Sequence, residues 1–363
     1  MKKIIATLIV LGLAWFVFAP GPIDPVAWQP PVDNGFVGDF AENTDLLAAE
    51  IIPIEGGAGP EDVAVDTEGR IYGGLHDGRI VRFDNDGKNQ ETFATIEGGR
   101  PLGLHFDAGG NLIVADAWKG LLSVNQQGEV TVLTTGHGGR PFAFTDDLDI
   151  ASDGKIYFSD ASDTYNQPDY LYDLFEARGH GRLMVYDPAS GETDMLLDDL
   201  YFANGIALSS SEDFVLVNET GRYRITRYWL SGEKAGTSDI FIDNLPGFPD
   251  GVSSNRNGTF WLALPSPRNP QVDEMHPSPF LKNIVAKLPR SIQPGAIKRG
   301  TVIGLNEQGE VIAAYHDPTG EHVYMITSVE QVGDMLYLGS LEAPQIARFG
   351  SLITMKVYDR VEN

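Results

Sequence analysis

One pattern recurs six times along this chain and restricts its fold more than any other feature. It is a short alternating strand, a turn of the form D-x-x-G or x-D-G, and a second apolar strand. The copies read PEDVAVDTEGRIYGG from Pro60, PLGLHFDAGGNLIVAD from Pro101, DDLDIASDGKIYFSD from Asp146, NGIALSSSEDFVLVNE from Asn204, DGVSSNRNGTFWLAL from Asp250 and ITSVEQVGDMLYLGS from Ile326. A third strand usually follows, such as GRIVRFD from Gly78, and often a fourth, such as EVTVLTT. From about residue 47 onward the apolar period is two, with almost no convincing helical period. Four short strands per unit, repeated at intervals of about 40 to 50 residues, predict an all-β fold, a six-bladed β-propeller. The sixth unit lacks an outer strand after Phe349, and the apolar run Glu50 to Ile54 is available to supply it. Pairing the two ends of the chain in this way would close the ring and remove an exposed edge.

Two insertions break the rhythm. The first, near residues 163–180, carries Tyr170 to Arg178, which could form a short helix. The second, 265–299, is proline-rich and then runs Phe280 to Leu288 with apolar and basic residues at helical spacing. Long insertions on such a scaffold serve as lids or binding loops, or else decorate a blade. Ahead of the repeats, Met1-Lys2-Lys3 precedes the apolar run Ile4 to Ala19 and then Pro20-Gly21-Pro22. This run is short for a membrane span and long for the core of a signal peptide, so residues 1–22 read as a membrane anchor or a cleaved signal segment. Lys2 and Lys3 remain on the cytoplasmic side, which puts the propeller on the extracytoplasmic (periplasmic or lumenal) side, held at the membrane or secreted after cleavage. Residues 23–46 read as a tether and 47–363 as the propeller.

Composition removes several function classes. With 26 basic against 51 acidic side chains the net charge is −25, so no basic field exists to hold phosphates and nucleic acid is excluded as a partner. The absence of cysteine excludes disulfides, thiol catalysis and Cys-ligated zinc or iron–sulfur sites. No nucleophile-elbow, P-loop or dinucleotide-binding fingerprint lies in a suitable context.

The repeats themselves point to a site. Counting eight residues back from the turn glycines Gly69, Gly154 and Gly258 gives Glu61, Asp146 and Asp250, and strand matching adds Asn204 in the fourth unit. The second and sixth units contribute Leu102 and Ile326. This position begins the innermost strand of each blade, so four oxygen-bearing side chains converge on one mouth of the central channel. The competing reading is that strand starts attract Asp and Asn as turn formers. Three carboxylates in a narrow channel repel one another unless a cation neutralises them. A hard, oxygen-preferring cation of flexible coordination fits, and Ca2+ is that cation, with another divalent ion an alternative.

The runs GRPLGL from Gly99, VADAWKGL from Val114, FANGIALSSSEDFVLVNET from Phe202 and LPGFPDGV from Leu245 resemble the strictosidine synthase-like branch of six-bladed propellers. That branch lies within the superfamily of gluconolactonase/regucalcin, paraoxonase and diisopropylfluorophosphatase, and the resemblance spans roughly residues 47 to 350. It implies metal ligands at Glu61, Asp146, Asn204 and Asp250, the set given by the repeats, although the family usually has Asn where this chain has Asp146. Leu102 stands where paraoxonases carry a catalytic His, so a His mechanism is not implied. Thr327 stands where the true synthases carry a glutamate, with Glu330 nearby but off register.

The function expected on this basis is calcium-dependent hydrolysis of a small-molecule ester or lactone, with Asp250 as general base by family analogy. The alternatives are a non-enzymatic, calcium-stabilised binding propeller and a strictosidine synthase-like condensing enzyme. Leu102, Arg178, His180, Ile326 and Thr327 are the expected substrate contacts. His105 reads as a packed strand histidine, His316 and Asp317 as structural, and Asp116 and Asp160 as turn-closing residues.

Overall fold

Each inner hairpin is built on the same local chemistry. In the first unit Asp66 follows the strand Val63–Val65, and its Oδ1 accepts the backbone N–H groups of Glu68 and Arg70, both at 2.9 Å. Gly69 completes the turn at φ +81°, a conformation that L side chains rarely adopt. Asp107 with Gly110 and Asn255 with Gly258 repeat this arrangement in other units.

In the computed structural model, which describes residues 2–350, these hairpins grow into six four-stranded antiparallel sheets. Blade 1 runs from Val63–Val65 to Glu91–Thr95, blade 2 from Pro101–Phe106 to Val130–Thr134, and blade 3 from Thr145–Ile150 to Glu192–Leu200. Blade 4 runs from Ala203–Leu208 to Ser238–Ile242 and blade 5 from Val252–Ser254 to Val311–Asp317. Blade 6 contains Ile326–Val332, Met335–Ser340 and Gln345–Gly350, and its fourth strand is Glu50–Pro53 from the other end of the chain. Glu50 pairs with Arg348 in register, and their side chains form a two-pronged ion pair at 2.8 and 2.9 Å. Residues 351–363, assigned to the propeller from the sequence, lie outside the described residues.

Apolar side chains fill the wedges between blades. Tyr72 of blade 1 meets Phe106 of blade 2 edge-on, with ring centroids 5.0 Å apart. Trp261 of blade 5, fully buried, donates its indole N–H to Gln331 of blade 6 at 2.6 Å. The first insertion folds into a short helix, Tyr170–Glu176, that ends with Ala177 at φ +56°. The second forms helices Pro270–Met275 and Pro279–Ala286. Asn269 and Ser278 cap their first turns by accepting from the N–H groups of Gln271 and Leu281.

The segment expected to be a tether is instead a docked strap. Its prolines fix an extended backbone, and the lids satisfy its polar groups. Val26 and Trp28 donate backbone hydrogen bonds to the carbonyls of Glu176 and His276. Lys282 donates to the Val26 carbonyl at 2.7 Å, and Arg268 to that of Pro31 at 2.7 Å. Further on, Asn43 bonds the outer strand of blade 5 through Ala314 and His316. The apolar run before it forms a helix, Lys2–Phe18, of 17 residues. Among the described residues no helix is long and apolar enough to cross a membrane.

Candidate functional site

The inner strands of blades 2, 3, 4 and 6 each carry a register shift at their start: between Pro101 and Leu104, Thr145 and Leu148, Ala203 and Ile206, and Ile326 and Val329. Bulges at such positions turn two consecutive residues away from the ladder. The first residue of each pair points to the channel mouth, and the second locks neighbouring blades together. Asp62 accepts the Leu104 N–H at 2.8 Å, which joins blade 1 to blade 2, and Asp147 accepts the Ile206 N–H at 2.8 Å, which joins blade 3 to blade 4. Glycine takes this second position in blades 2, 4 and 5 because the next inner strand approaches so closely. A Cβ at Gly205 would lie 2.4 Å from the Asp250 carbonyl oxygen.

Glu61, Asp146, Asn204 and Asp250 line one channel together with Leu102 and Thr327. The Asn204 amide beside Asp250 opposes part of the effect of burial on its carboxyl. Burial raises the carboxyl of Asp146 well above the usual range, with repulsion from Glu61 and Asp250 adding to it. Asp250 is raised well above its usual range by burial and then by Glu61 and Asp147. Glu61 is raised less, since Arg100 opposes the effect of burial. All four residues are hard oxygen donors of the kind calcium takes. As it stands, no group of three His, Asp or Glu side chains among the described residues is arranged to hold a metal ion.

Arg100 is the residue that sequence reasoning missed. It is 3% exposed and donates to Glu61 Oε2 at 2.7 Å and to the carbonyl of Gly59 at 2.8 Å. It is therefore a fixed cation beside the ring, contributed by the residue just before the inner strand of blade 2. Other blades have no equivalent, so no periodic signal announces it. Deeper in the channel lie Asp149 and Glu330, with Arg256 bonded to Asp149 at 2.6 Å. Glu330 thus belongs to the channel wall below the ring. His105 lines the same depth, with Nε2 4.0 Å from Asp149, and opens toward the far end of the channel.

The sixth ring position requires a correction. Equivalent inner-hairpin pairs are Val63↔Gly73 in blade 1 and Val329↔Leu338 in blade 6, so the last hairpin is one residue shorter. Counting eight back from Gly333 gives Met325, so the phase fails in this unit, and Ile326, assigned to the ring, is one residue early. Thr327 occupies the ring, and its hydroxyl donates to the Glu61 carbonyl at 2.7 Å. Ile326 points the other way and is buried with Trp261 and Leu338.

Above the ring lies a second, apolar cavity of about 80 Å3 that reaches Asp250. Its walls come from both lids and include Tyr170, Leu174, Phe248 and Val272. Tyr170 hangs from the lid helix near Glu61 and Asp250, and burial raises its phenol above the usual value.

Arg178 and His180, expected to touch substrate, lie outside both cavities. Arg178 binds the backbone carbonyl and carboxylate of Asp24 at 2.6 and 2.8 Å, and His180 binds Glu176 at 2.7 Å. Both hold the strap and lid together. Asp116 and Asp160 close local structure through the N–H groups of Trp118, Lys119 and Phe144. His316 is buried against Phe36 of the strap.

The architecture thus defines a six-bladed β-propeller with an acidic, oxygen-lined channel mouth under two lids. The family model for strictosidine synthase matches residues 146–233, and that for the N-terminal part of strictosidine synthase-like proteins matches 38–83. Adipocyte plasma membrane-associated protein of Bos taurus is 36% identical over 362 residues, 93% of this chain and 86% of that one. Strictosidine synthase-like protein 10 of Arabidopsis thaliana is 36% identical over 324 residues, 82% and 86% of the two chains. The chain belongs to the strictosidine synthase-like family, which includes the adipocyte plasma membrane-associated proteins. Among solved structures, a gluconolactonase of Xanthomonas campestris shares the fold, with a TM-score of 0.61 at 17% identity, covering 91% of this chain and 98% of its own. Regucalcin of Agrobacterium tumefaciens, described as a calcium-binding protein, has a TM-score of 0.57 at 14% identity over 84% and 94% of the chains.

Proposed function

We propose that this protein hydrolyses apolar esters or lactones with the help of a divalent cation, calcium by preference, bound at the channel mouth. The observation that carries this reading is the juxtaposition of three carboxylates, Asp146 buried and Glu61 and Asp250 partly so, and Asn204 with an apolar cavity that reaches Asp250. Glu61, Asp146, Asn204 and Asp250 are the side chains that would hold the ion once drawn together from the arrangement described above, and the ion when bound would polarise the carbonyl of the substrate. Arg100 fixes Glu61 in place by holding Oε2. The walls of the lid cavity receive the apolar part of the substrate and exclude bulk water. Asp250, whose burial favours proton uptake, accepts the proton of the attacking water. Thr327 offers a hydroxyl already committed to the Glu61 carbonyl and no acid at the position where the synthases carry glutamate, which argues against condensation chemistry.

Asp250→Asn tests the base. The variant keeps one ligand oxygen, so calcium should still bind, while turnover of an aryl ester or lactone at saturating calcium should fall about 100-fold or more. Hydrolysis at the wild-type rate would restrict Asp250 to ligand binding. A non-enzymatic, calcium-stabilised binding propeller is the second reading; the Arg100–Glu61 pair gives the ring a structural role that needs no turnover, and calcium would then only complete the neutralisation of Asp146 and Asp250.

The animal relatives are named for association with the plasma membrane. In this chain we assign that role to residues 1–22, with the propeller on the extracytoplasmic side. Fractionation of the intact chain tests the assignment, and recovery as a soluble species beginning near Pro20 would contradict it.

A further inference from the structure

We propose that the lid face of the propeller docks on the surface of an anionic lipid bilayer, so that the apolar cavity beneath it faces the membrane. Three independent features converge on this face. The first is charge: in a chain of net charge −25 the insertion 265–299 contains six basic residues and two acidic ones, and although Arg268, Lys282 and Arg299 are buried in structural bonds, Lys287, Arg290 and Lys298 remain toward the surface. Arg290 and Lys298 of this insertion are exposed. The second is apolar exposure on the same insertion: Phe280 is 57% exposed, Leu281 42%, Ile292 63% and Ile297 44%. These residues are one surface element, since Gln293, next to Ile292, bonds the carbonyls of Ala286 and Leu288 at the end of the helix that bears Phe280 and Leu281. Basic side chains interspersed with exposed large apolar ones are the composition of a segment that lies in a bilayer interface.

The third feature is continuity with the N-terminal apolar helix. Lys287, one residue beyond the lid helix Pro279–Ala286, donates to the carbonyls of Phe16 and Ala19. The helix Lys2–Phe18 therefore leaves the molecule from this face, and its Ile4, Ile5, Leu8, Leu11, Trp15 and Phe18 are exposed. Whatever apolar phase covers that helix also meets the lid. The strap bonds from Lys282 to Val26 and from Arg178 to Asp24 fix the distance between the two.

This inference rests on the membrane location proposed above and is independent of the hydrolytic chemistry. The absence of cysteine makes single-cysteine labelling direct. The full chain is reconstituted in phosphatidylcholine vesicles with and without phosphatidylglycerol, carrying an environment-sensitive fluorophore at Phe280→Cys or Ile292→Cys. Val132→Cys, exposed on the outer strand of blade 2, is the reference. The expected result is a blue shift and quenching by lipid-borne nitroxides at 280 and 292 but not at 132, stronger with the anionic lipid. Arg290→Glu combined with Lys298→Glu should reduce the quenched fraction, each reversed charge weakening surface attraction by at least about fivefold. Vesicle-bound protein with probes 280 and 292 as water-accessible as 132 would overturn lid docking while leaving the anchor intact. A blue shift without lipid quenching would also overturn it, by showing that a second copy or a protein partner covers the face. Failure of the chain to associate with vesicles at all would remove both readings.

Discussion

Replacing Arg100 by methionine would separate the work of the built-in cation from that of a bound one. The guanidinium is nearly fully buried, pairs with Glu61 at 2.7 Å, and donates to the carbonyls of Gly59, Gly74 and Pro101 at 2.8, 3.2 and 3.3 Å. Methionine fills much of the same volume but leaves Glu61 unpaired beside Asp146 and Asp250. Breaking a buried pair from one side costs about 3–5 kcal/mol. For a cooperative unit of about 300 residues, unfolding entropy near 2.1 cal/mol/K per residue turns this into a fall in Tm of about 5 to 8 °C. The measurement is calorimetric melting at pH 8, where protonation of Glu61 relieves least, in chelator and again in excess calcium. If calcium occupies the ring, it supplies the missing charge, and most of the loss is recovered because the ion binds only the folded form. The calcium-induced rise in Tm is then larger in the variant than in the wild type. An unchanged Tm in chelator would refute the role of Arg100, and a calcium response absent from both proteins would refute the cation site.

Two further substitutions test other parts of the structure. Gly205→Ala places a methyl group against the Asp250 carbonyl and the Asn218 amide; overpacking of this kind costs about 1–3 kcal/mol and should weaken calcium binding by displacing Asp250, as read by titration calorimetry. Undiminished affinity would show that the ring tolerates the shift. Asp173 in the lid helix is buried with Oδ2 unpartnered, and burial pushes its carboxyl up to about 7. Because this folded value lies above the unfolded one, the stability concerned is fully present below about pH 4 and is lost as pH rises through about 7. Asp173→Asn should therefore stabilise the protein above pH 7 by on the order of 4 kcal/mol and leave it unchanged near pH 4. An equal gain at both pH values would mean that packing rather than ionisation is responsible.

The propeller was legible because its information is local and repeated. Asp66, Gly69 and their counterparts set the hairpins, and the missing outer strand after Phe349 pointed to Glu50–Pro53. The positions of Glu61, Asp146, Asn204 and Asp250 followed from the same phase. That phase failed at Ile326, one residue before the ring position Thr327, and a one-residue offset in a strand puts the side chain on the opposite face. Arg100 and Tyr170 carried no periodic signal, since each reaches the ring from outside the repeat. Arg178 and His180 were misread for a related reason: their partners, Asp24 and Glu176, belong to a strap whose path over the lids is set by tertiary contacts rather than by any local pattern.

The strand Glu50–Pro53 also orders events in time. Its partner Arg348 lies 298 residues away in sequence. Bringing such distant ends together in an unfolded chain costs about 3 kcal/mol more than closing a ten-residue hairpin, so this contact is formed economically only after the intervening blades have shortened the distance. During synthesis the N-terminal strand is made first and must wait, its apolar Ile52 uncovered, until the last blade emerges. A chain halted before Gln345 would hold five complete blades and two open strand edges, the state most prone to pair with a neighbouring copy. The closing strand thus acts as a check on the last blade: only a chain that extends through Gln345–Gly350 can cover these two edges.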